Sequence, residues 1–182
     1  GRYDKAGLYF HKEVVDIHWY TVKEQLKLPG RIDAVGADLV HFPHWNVPLR
    51  IKTPFVVTIH DLILLEQPMS AKAKATTRNP LVYWVKYAAY KRVLKHAVTA
   101  SRHIIAVSDY TKAAIQKHFP QVNAEKISVI HEGVTDFPQT EEAALPKTLE
   151  DKTYFLYVGN AYPHKNLESL MHAFSYFYRL HP

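Results

Sequence analysis

The spacing of apolar positions changes several times along the chain, and each spacing predicts an element. Val15, Trp19, Val22 and Leu26 recur at steps of four, three and four, one face of a helix that Leu28-Pro29-Gly30 should stop. Leu39-Val40-His41-Phe42 is a short apolar run between Asp38 and Pro43 and reads as a buried strand. Phe55-Val56-Val57-Thr58-Ile59-His60 is a stronger strand, β-branched through its middle and ending in the polar pair His60-Asp61. Pro43, Pro48 and Pro54 make the stretch between these strands a loop. A long helix is expected from Pro80 to Ala100, with Leu81, Val85, Ala88, Ala89, Val93 and Ala97 as its apolar stripe. Ile104-Ile105-Ala106-Val107 is a third strand, running into Ser108 as N-cap of a helix from Asp109 to His118. Ile127–Ile130 and Tyr154–Val158 read as two more strands. After the latter come a loop from Gly159 to Lys165 and a last helix capped by Asn166.

Short continuous apolar strands alternating with helices place the chain in the α/β class, with a parallel sheet covered on both faces. In such sheets ligands bind beyond the carboxyl ends of the strands. Three strand ends carry polar groups: His41 with His44, His60 with Asp61, and Gly159 through Lys165.

Composition narrows the picture. The 182 residues include no cysteine, which excludes a disulfide scaffold, a thiolate zinc site and a cysteine nucleophile. With 47% hydrophobic and 22% charged residues, the chain can form a core and is not low-complexity. No apolar run approaches the roughly 18 residues of a spanning helix. The net charge of +6 is uneven: between Glu66 and Glu125 ten bases face one acid, Asp109, so this stretch is positive and the remainder negative. Such asymmetry fits an anionic partner (a membrane surface, a phosphate compound or nucleic acid) or a solvated helix face.

Several chemistries drop out. Neither G-x-G-x-x-G nor G-x-x-x-x-G-K-[ST] occurs, no two aspartates stand two apart, and no G-x-S-x-G elbow is present. His41-x-x-His44 lies at a strand end, where that spacing does not bring both rings to one face, so hydrogen bonding or substrate contact outranks a metal. The loop Gly159-Asn160-Ala161-Tyr162-Pro163-His164-Lys165-Asn166 pairs a glycine turn with a helix N-terminus and a lysine. That is the makings of an anion site, against the plainer reading of a surface turn. His60-Asp61 suits orientation of a hydroxyl or proton transfer, against the plainer reading of a strand-capping pair.

Together, Trp19–Pro29, Asp38–Pro48, Val56–Leu62, Ile104–Ser108 and Tyr157–Asn166 resemble, in order and spacing, the group-1, family-4 retaining glycosyltransferases of the GT-B fold, especially bacterial mannosyltransferase-like members. The resemblance implies two Rossmann-like domains facing across a cleft. Residues 1–133 would be a partial N-terminal, acceptor-side domain, 134–152 an interdomain linker, and 153–182 the first strand and helix of the nucleotide-sugar-binding domain. The chain then reads as a fragment inactive alone, with the family's E-x7-E glutamates expected beyond it.

By the same resemblance, His60, with Asp61 beside it, matches the histidine near the donor sugar. Lys165 matches the lysine that neutralises the donor diphosphate, and Gly159 the glycine that opens its loop. Asn160 stands where the family usually has arginine, and His164 could replace part of that charge. His44 and Asn46 fall on the acceptor side of the cleft. The hinge reads His131-Glu132-Gly133-Val134 where relatives often have Asn-Gly-Val.

The implied activity is transfer of a mannose-like hexose from a nucleotide-sugar to a glycan or lipid-linked acceptor, with retention and without metal or other cofactor. Its setting would be bacterial surface polysaccharide synthesis. The expected location is cytoplasmic, with residues 72–117 in peripheral contact with anionic membrane. The competing reading is a basic, aromatic-rich nucleic-acid-binding module. It is disfavoured because Trp84, Tyr87 and Tyr90 at helical spacing read more simply as packing, and no nucleic-acid signature is present.

Overall fold

A computed structural model describes residues 2–3, 9–68, 80–134, 147–149 and 152–181. Its centre is a four-stranded parallel sheet of β3 (Val40–Phe42), β4 (Phe55–Ile59), β5 (His103–Ala106) and β6 (Ile127–Val129), in that spatial order. Arg2–Tyr3 (β1) and Tyr9–Phe10 (β2) form a separate two-stranded antiparallel ladder. The helices are α1 (Val22–Asp33), α2 (Ile63–Glu66), α3 (Pro80–Ala100), α4 (Asp109–His118) and α5 (Leu167–Leu180).

Register sorts the sheet into two faces. Val57 pairs with Ile104 and Ile104 with Ile127, while Thr58 pairs with Ile105 and Ile105 with Ser128. The first set, with Phe55, Ile59 and Ala106, is buried against Tyr90, Leu94, Ala97 and Val98 of α3 and Ala114 and Ile115 of α4. Each fully buried Leu, Ile or Val contributes about 1.5–3 kcal/mol through lost apolar surface. Because strand order equals chain order, right-handed crossovers carry α3 and α4 over the same face. The second face differs from the expected two-sided burial. Val56, Thr58, His103 and Ile105 are half-buried, His41 and Ser128 exposed. Its polar side chains pair across strands, His41 Nε2 with Thr58 Oγ1 and His103 Nε2 with Ser128 Oγ, both at 2.8 Å.

Three expected elements are corrected. The first helix starts at Val22, not near Val15, and runs through Pro29 to Asp33. Its start is set by Thr21, whose hydroxyl accepts from the Glu24 N–H at 3.1 Å, and its buried face is Glu24 and Pro29 rather than the Val22 and Leu26 stripe. A proline in a helix interior costs about 3 kcal/mol. The turn beyond it is held by tertiary bonds: the Asp33 carboxylate accepts from the Lys52 and Thr53 N–H groups and the Thr53 hydroxyl.

The long helix has its expected limits, and Val93 and Ala97 of its expected stripe are buried, but its first half turns a different side inward. Leu81, Val85, Ala88 and Ala89 are exposed, while Tyr83, Tyr90, Val93, Leu94, Ala97 and Val98 are buried. Tyr87 is half-buried and meets Tyr83 and Tyr90 at ring distances of 6.3 and 6.0 Å, which supports the packing reading for Tyr87 and Tyr90, while Trp84 is exposed.

Tyr154–Val158, expected as a strand, joins no ladder among the described residues and is exposed throughout. Most of the expected linker lies outside the described residues, as do Lys72, Lys74 and Arg78 of the basic stretch.

Candidate functional site

β3, β4 and β6 point their carboxyl ends at one region, and the polar residues that follow them meet there. His60 comes directly after Ile59, the last residue of β4. Its Nδ1 lies 2.8 Å from Glu132 Oε1 and its Nε2 lies 3.0 Å from the Pro43 carbonyl. Its own carbonyl accepts from the Thr111 hydroxyl at 3.0 Å, which fixes the backbone through the first turn of α4. His60 is thus gripped from the ends of β3 and β6 and from α4, while the side chain stays open to solvent.

His44 stacks beside it, ring centroids 6.4 Å apart, and also meets Trp45 at 4.9 Å and Tyr20 at 6.2 Å. Burial lowers the His44 pKa from the usual histidine value, the like charge of His60 lowers it further, and Asp61 opposes both. His44 is therefore biased toward the neutral ring, able to accept as well as donate. The rim is completed by Tyr20, stacked on Trp45 at 5.4 Å, and by Trp45 edge-on to Tyr90 at 4.8 Å. Tyr20 holds φ +58°, a left-handed conformation uncommon for a bulky side chain. It is pinned there by its N–H bond to Glu24 Oε2 at 2.7 Å. Burial and the Glu24 carboxylate raise the pKa of its phenol, keeping it a donor.

The other N-terminal candidates are already engaged. Asp61 Oδ1 accepts from the Ile63 N–H at 3.0 Å, the bonding to backbone of the plainer reading. Asn46 donates through Nδ2 to both oxygens of Glu24, each at 2.9 Å. His41 bonds Thr58 on the open sheet face, whereas His44 packs among the rim aromatics, so the pair does not converge as metal ligands. No group of three or more potential metal ligands occurs among the described residues.

Gly159, Asn160, His164 and Lys165 share a second, local arrangement. Gly159 has φ +152°, and a Cβ there would stand 2.9 Å from the Tyr157 hydroxyl, which itself donates to the Asn160 carbonyl at 3.0 Å. His164 stacks on Tyr162 with centroids 5.6 Å apart. Lys165 closes a single 3-10 turn, Pro163–Lys165, and is exposed. Asn166 precedes α5 but, contrary to expectation, its side chain makes no capping bond. Its φ of +51° is left-handed rather than the extended backbone usual at an N-cap.

Sequence reading missed Glu132 as a partner of His60 and treated it only as part of an unusual hinge. The available signal was its place just after β6, on the same sheet edge as His60. Glu24 was missed too, although Thr21-x-x-Glu24 is a capping-box pattern.

Comparison with known proteins agrees with this geometry. Residues 13–136 match the model of Glycosyltransferase Family 4. The chain is also 33% identical over 156 residues to the O-antigen chain mannosyltransferase RfbU of Salmonella typhimurium, a match covering 84% of this chain and 37% of that protein. The chain thus spans well under half of the relative's length. A parallel α/β sheet with its polar strand ends gathered around His60, and a family match over all four of its strands, have one conclusion: this chain belongs to glycosyltransferase family 4 and carries part of a Rossmann-like GT-B domain.

Proposed function

We propose that the chain is the acceptor-side part of a glycosyltransferase that moves a mannose-like hexose from a nucleotide-sugar to a glycan or lipid-linked acceptor in bacterial surface polysaccharide synthesis. The observation that carries the reading is His60, held at the end of β4 by Glu132 and Pro43 with its edge open to solvent beside His44. That RfbU is named a mannosyltransferase of the O-antigen chain supports the choice of sugar and setting.

In the proposed reaction the bond from the anomeric carbon to the donor diphosphate breaks. The acceptor hydroxyl oxygen bonds to that carbon on the same face, and the acceptor proton leaves with the diphosphate. His60 and His44 orient sugar and acceptor hydroxyls. Lys165, with the N–H groups at the start of α5 that Asn166 leaves uncapped, offsets diphosphate charge. The residues 1–133, 134–152 and 153–182 act in this reading as acceptor-side domain, linker and opening of the donor-binding domain. Asn160 offers an amide where relatives offer a guanidinium, so His164 and Lys165 carry more of the anion-binding task.

The reaction is proposed to need no metal. The basic α3 residues Lys86, Lys91, Arg92 and Lys95 are proposed to face anionic lipid at the cytoplasmic side, through their excess of positive charge.

The test is full-length protein given a panel of nucleoside-diphosphate hexoses in the presence of a chelator. Release of nucleoside diphosphate dependent on acceptor, with product of unchanged anomeric configuration, is expected. Turnover unaltered by Lys165→Ala removes the role given to Lys165, and inverted product removes retention.

A further inference from the structure

We propose that Glu132 is the positioning residue of His60, holding the ring in one of its two flip states so that Nε2, rather than a ring carbon, faces the loop after β3. This rests on the reading of His60 as a group of the transfer cleft. The two residues are 72 positions apart, and the 2.8 Å contact exists only because β4 and β6 end on the same edge of the sheet.

The chemistry of the partners fixes the roles. A carboxylate opposite a ring nitrogen accepts, so Nδ1 carries a proton and donates to Glu132. The Pro43 carbonyl, 3.0 Å from Nε2, also only accepts. Both acceptors are served together when both ring nitrogens carry protons. When only Nδ1 is protonated, the Glu132 bond still holds and leaves Nε2 as an acceptor for a ligand hydroxyl. In either case Glu132 decides which edge of the ring is presented. Rotation of the ring by half a turn would put carbons where both nitrogens stand; the carboxylate bond opposes it in either protonation state, the Pro43 bond only when Nε2 carries a proton.

Other groups near the ring do not duplicate this function. His44 lies against its face, and Asp61 is committed to the Ile63 N–H. Glu132 is itself exposed and sits two residues before the expected linker of residues 134–152. The cleft histidine is thereby tied to the first residues that lead toward the second domain.

The experiment compares Glu132→Ala, Glu132→Gln, His60→Ala and the double variant in the full-length protein, by turnover and by ring 15N resonances of labelled histidine. Glu132→Ala should lower kcat about tenfold with donor KM little changed, within the roughly 100-fold that a 1 Å misplacement can cost. Glu132→Gln, whose amide oxygen still accepts from Nδ1, should recover part of the loss. The double variant should be no slower than His60→Ala, because Glu132 acts only through the ring. The His60 resonances should move in Glu132→Ala. Losses that multiply in the double variant, or His60 resonances unmoved in Glu132→Ala, overturn the proposal. Full turnover in His60→Ala overturns the reading of His60 itself, while the ring spectrum still reports on the hold of Glu132.

Discussion

The Glu24 carboxylate receives the Asn46 side-chain amide on both of its oxygens, each at 2.9 Å, and in the same position accepts the Tyr20 N–H at 2.7 Å. One buried acid on α1 therefore closes its own helix N-terminus and anchors the loop beyond β3 that carries His44 and Trp45. Hydrogen bonds to an ionised group contribute about 1.5–3 kcal/mol, and removing the acceptor strands its donors. Glu24→Ala should destabilise the fold by about 2 kcal/mol in urea unfolding. Asn46→Ala should cost less, because the carboxylate keeps the Tyr20 N–H. Equal losses in the two variants would show that the cap adds nothing.

Lys126 makes a second long-range connection, at the opposite end of the sheet. Its ammonium donates to the Val98 and Thr99 carbonyls at 3.1 and 2.9 Å, covering the open carbonyl end of α3. A cation there satisfies orphan acceptors and complements the helix dipole, worth about 0.3–1 kcal/mol. Partial burial lowers the Lys126 pKa from the usual lysine value, yet the carbonyl partners keep it a donor. Lys126→Met should retain the packing of the stem and lower stability by about 1 kcal/mol. Faster amide exchange should be confined to the last turn of α3. A uniform rise in exchange across the sheet would point to lost packing instead.

Strands β4 and β5 and the limits of α3 and α4 are legible in the sequence because local chemistry sets them. Val56-Val57-Thr58-Ile59 is β-branched throughout, Pro80 opens a helix, and Ser108 caps one with a 3.1 Å bond to the Thr111 N–H. Which side of the first half of α3 turns inward is not, because Leu81, Val85, Ala88 and Ala89 form as regular a stripe as the buried Tyr83 and Tyr90. Tyr83 and Tyr90 bury a large ring while carrying a polar hydroxyl, so hydrophobicity alone does not mark them as inward-facing. The same bias favoured Val22 and Leu26 over Glu24, whose burial follows from hydrogen bonds rather than hydrophobicity. His60 and His44 stood out as strand-end polar residues. Glu132 did not, since its partner is set by the neighbour order of β4, β5 and β6. Tyr154–Val158 has the composition of a buried strand, but a strand needs a neighbour to exchange hydrogen bonds with, and sequence cannot supply one.

Gly159 tests the second arrangement without touching a charged group. At φ +152° an L side chain is strained, and its Cβ would meet the Tyr157 hydroxyl at 2.9 Å and ring carbons just beyond. Gly159→Ala should displace the Tyr157 ring and break its bond to the Asn160 carbonyl. In the full-length protein it should weaken nucleotide-sugar binding, read by isothermal titration, by about tenfold. Adding Tyr157→Phe removes the closest atom and should recover part of that affinity. If Gly159→Ala binds donor as well as the parent, the turn from Gly159 to Lys165 is not the donor loop.

The pH dependence of stability follows from two histidines held below their ordinary value. His44 is lowered chiefly by burial and then by His60; His96 is lowered chiefly by burial, against the Pro48 carbonyl that favours its proton, and further by Arg92. In the unfolded chain each takes up a proton near pH 6.5, whereas in the folded chain each does so only at lower pH. Between those limits the unfolded state binds more protons, so stability rises with pH and falls as pH drops below about 6.5. Above that range both rings are neutral in both states and contribute no slope. Urea midpoints of the parent should therefore decline from about pH 7 to pH 5 more steeply than those of His96→Gln or His44→Gln. A parent midpoint that stays level across this range would mean that neither His44 nor His96 is held neutral by the fold.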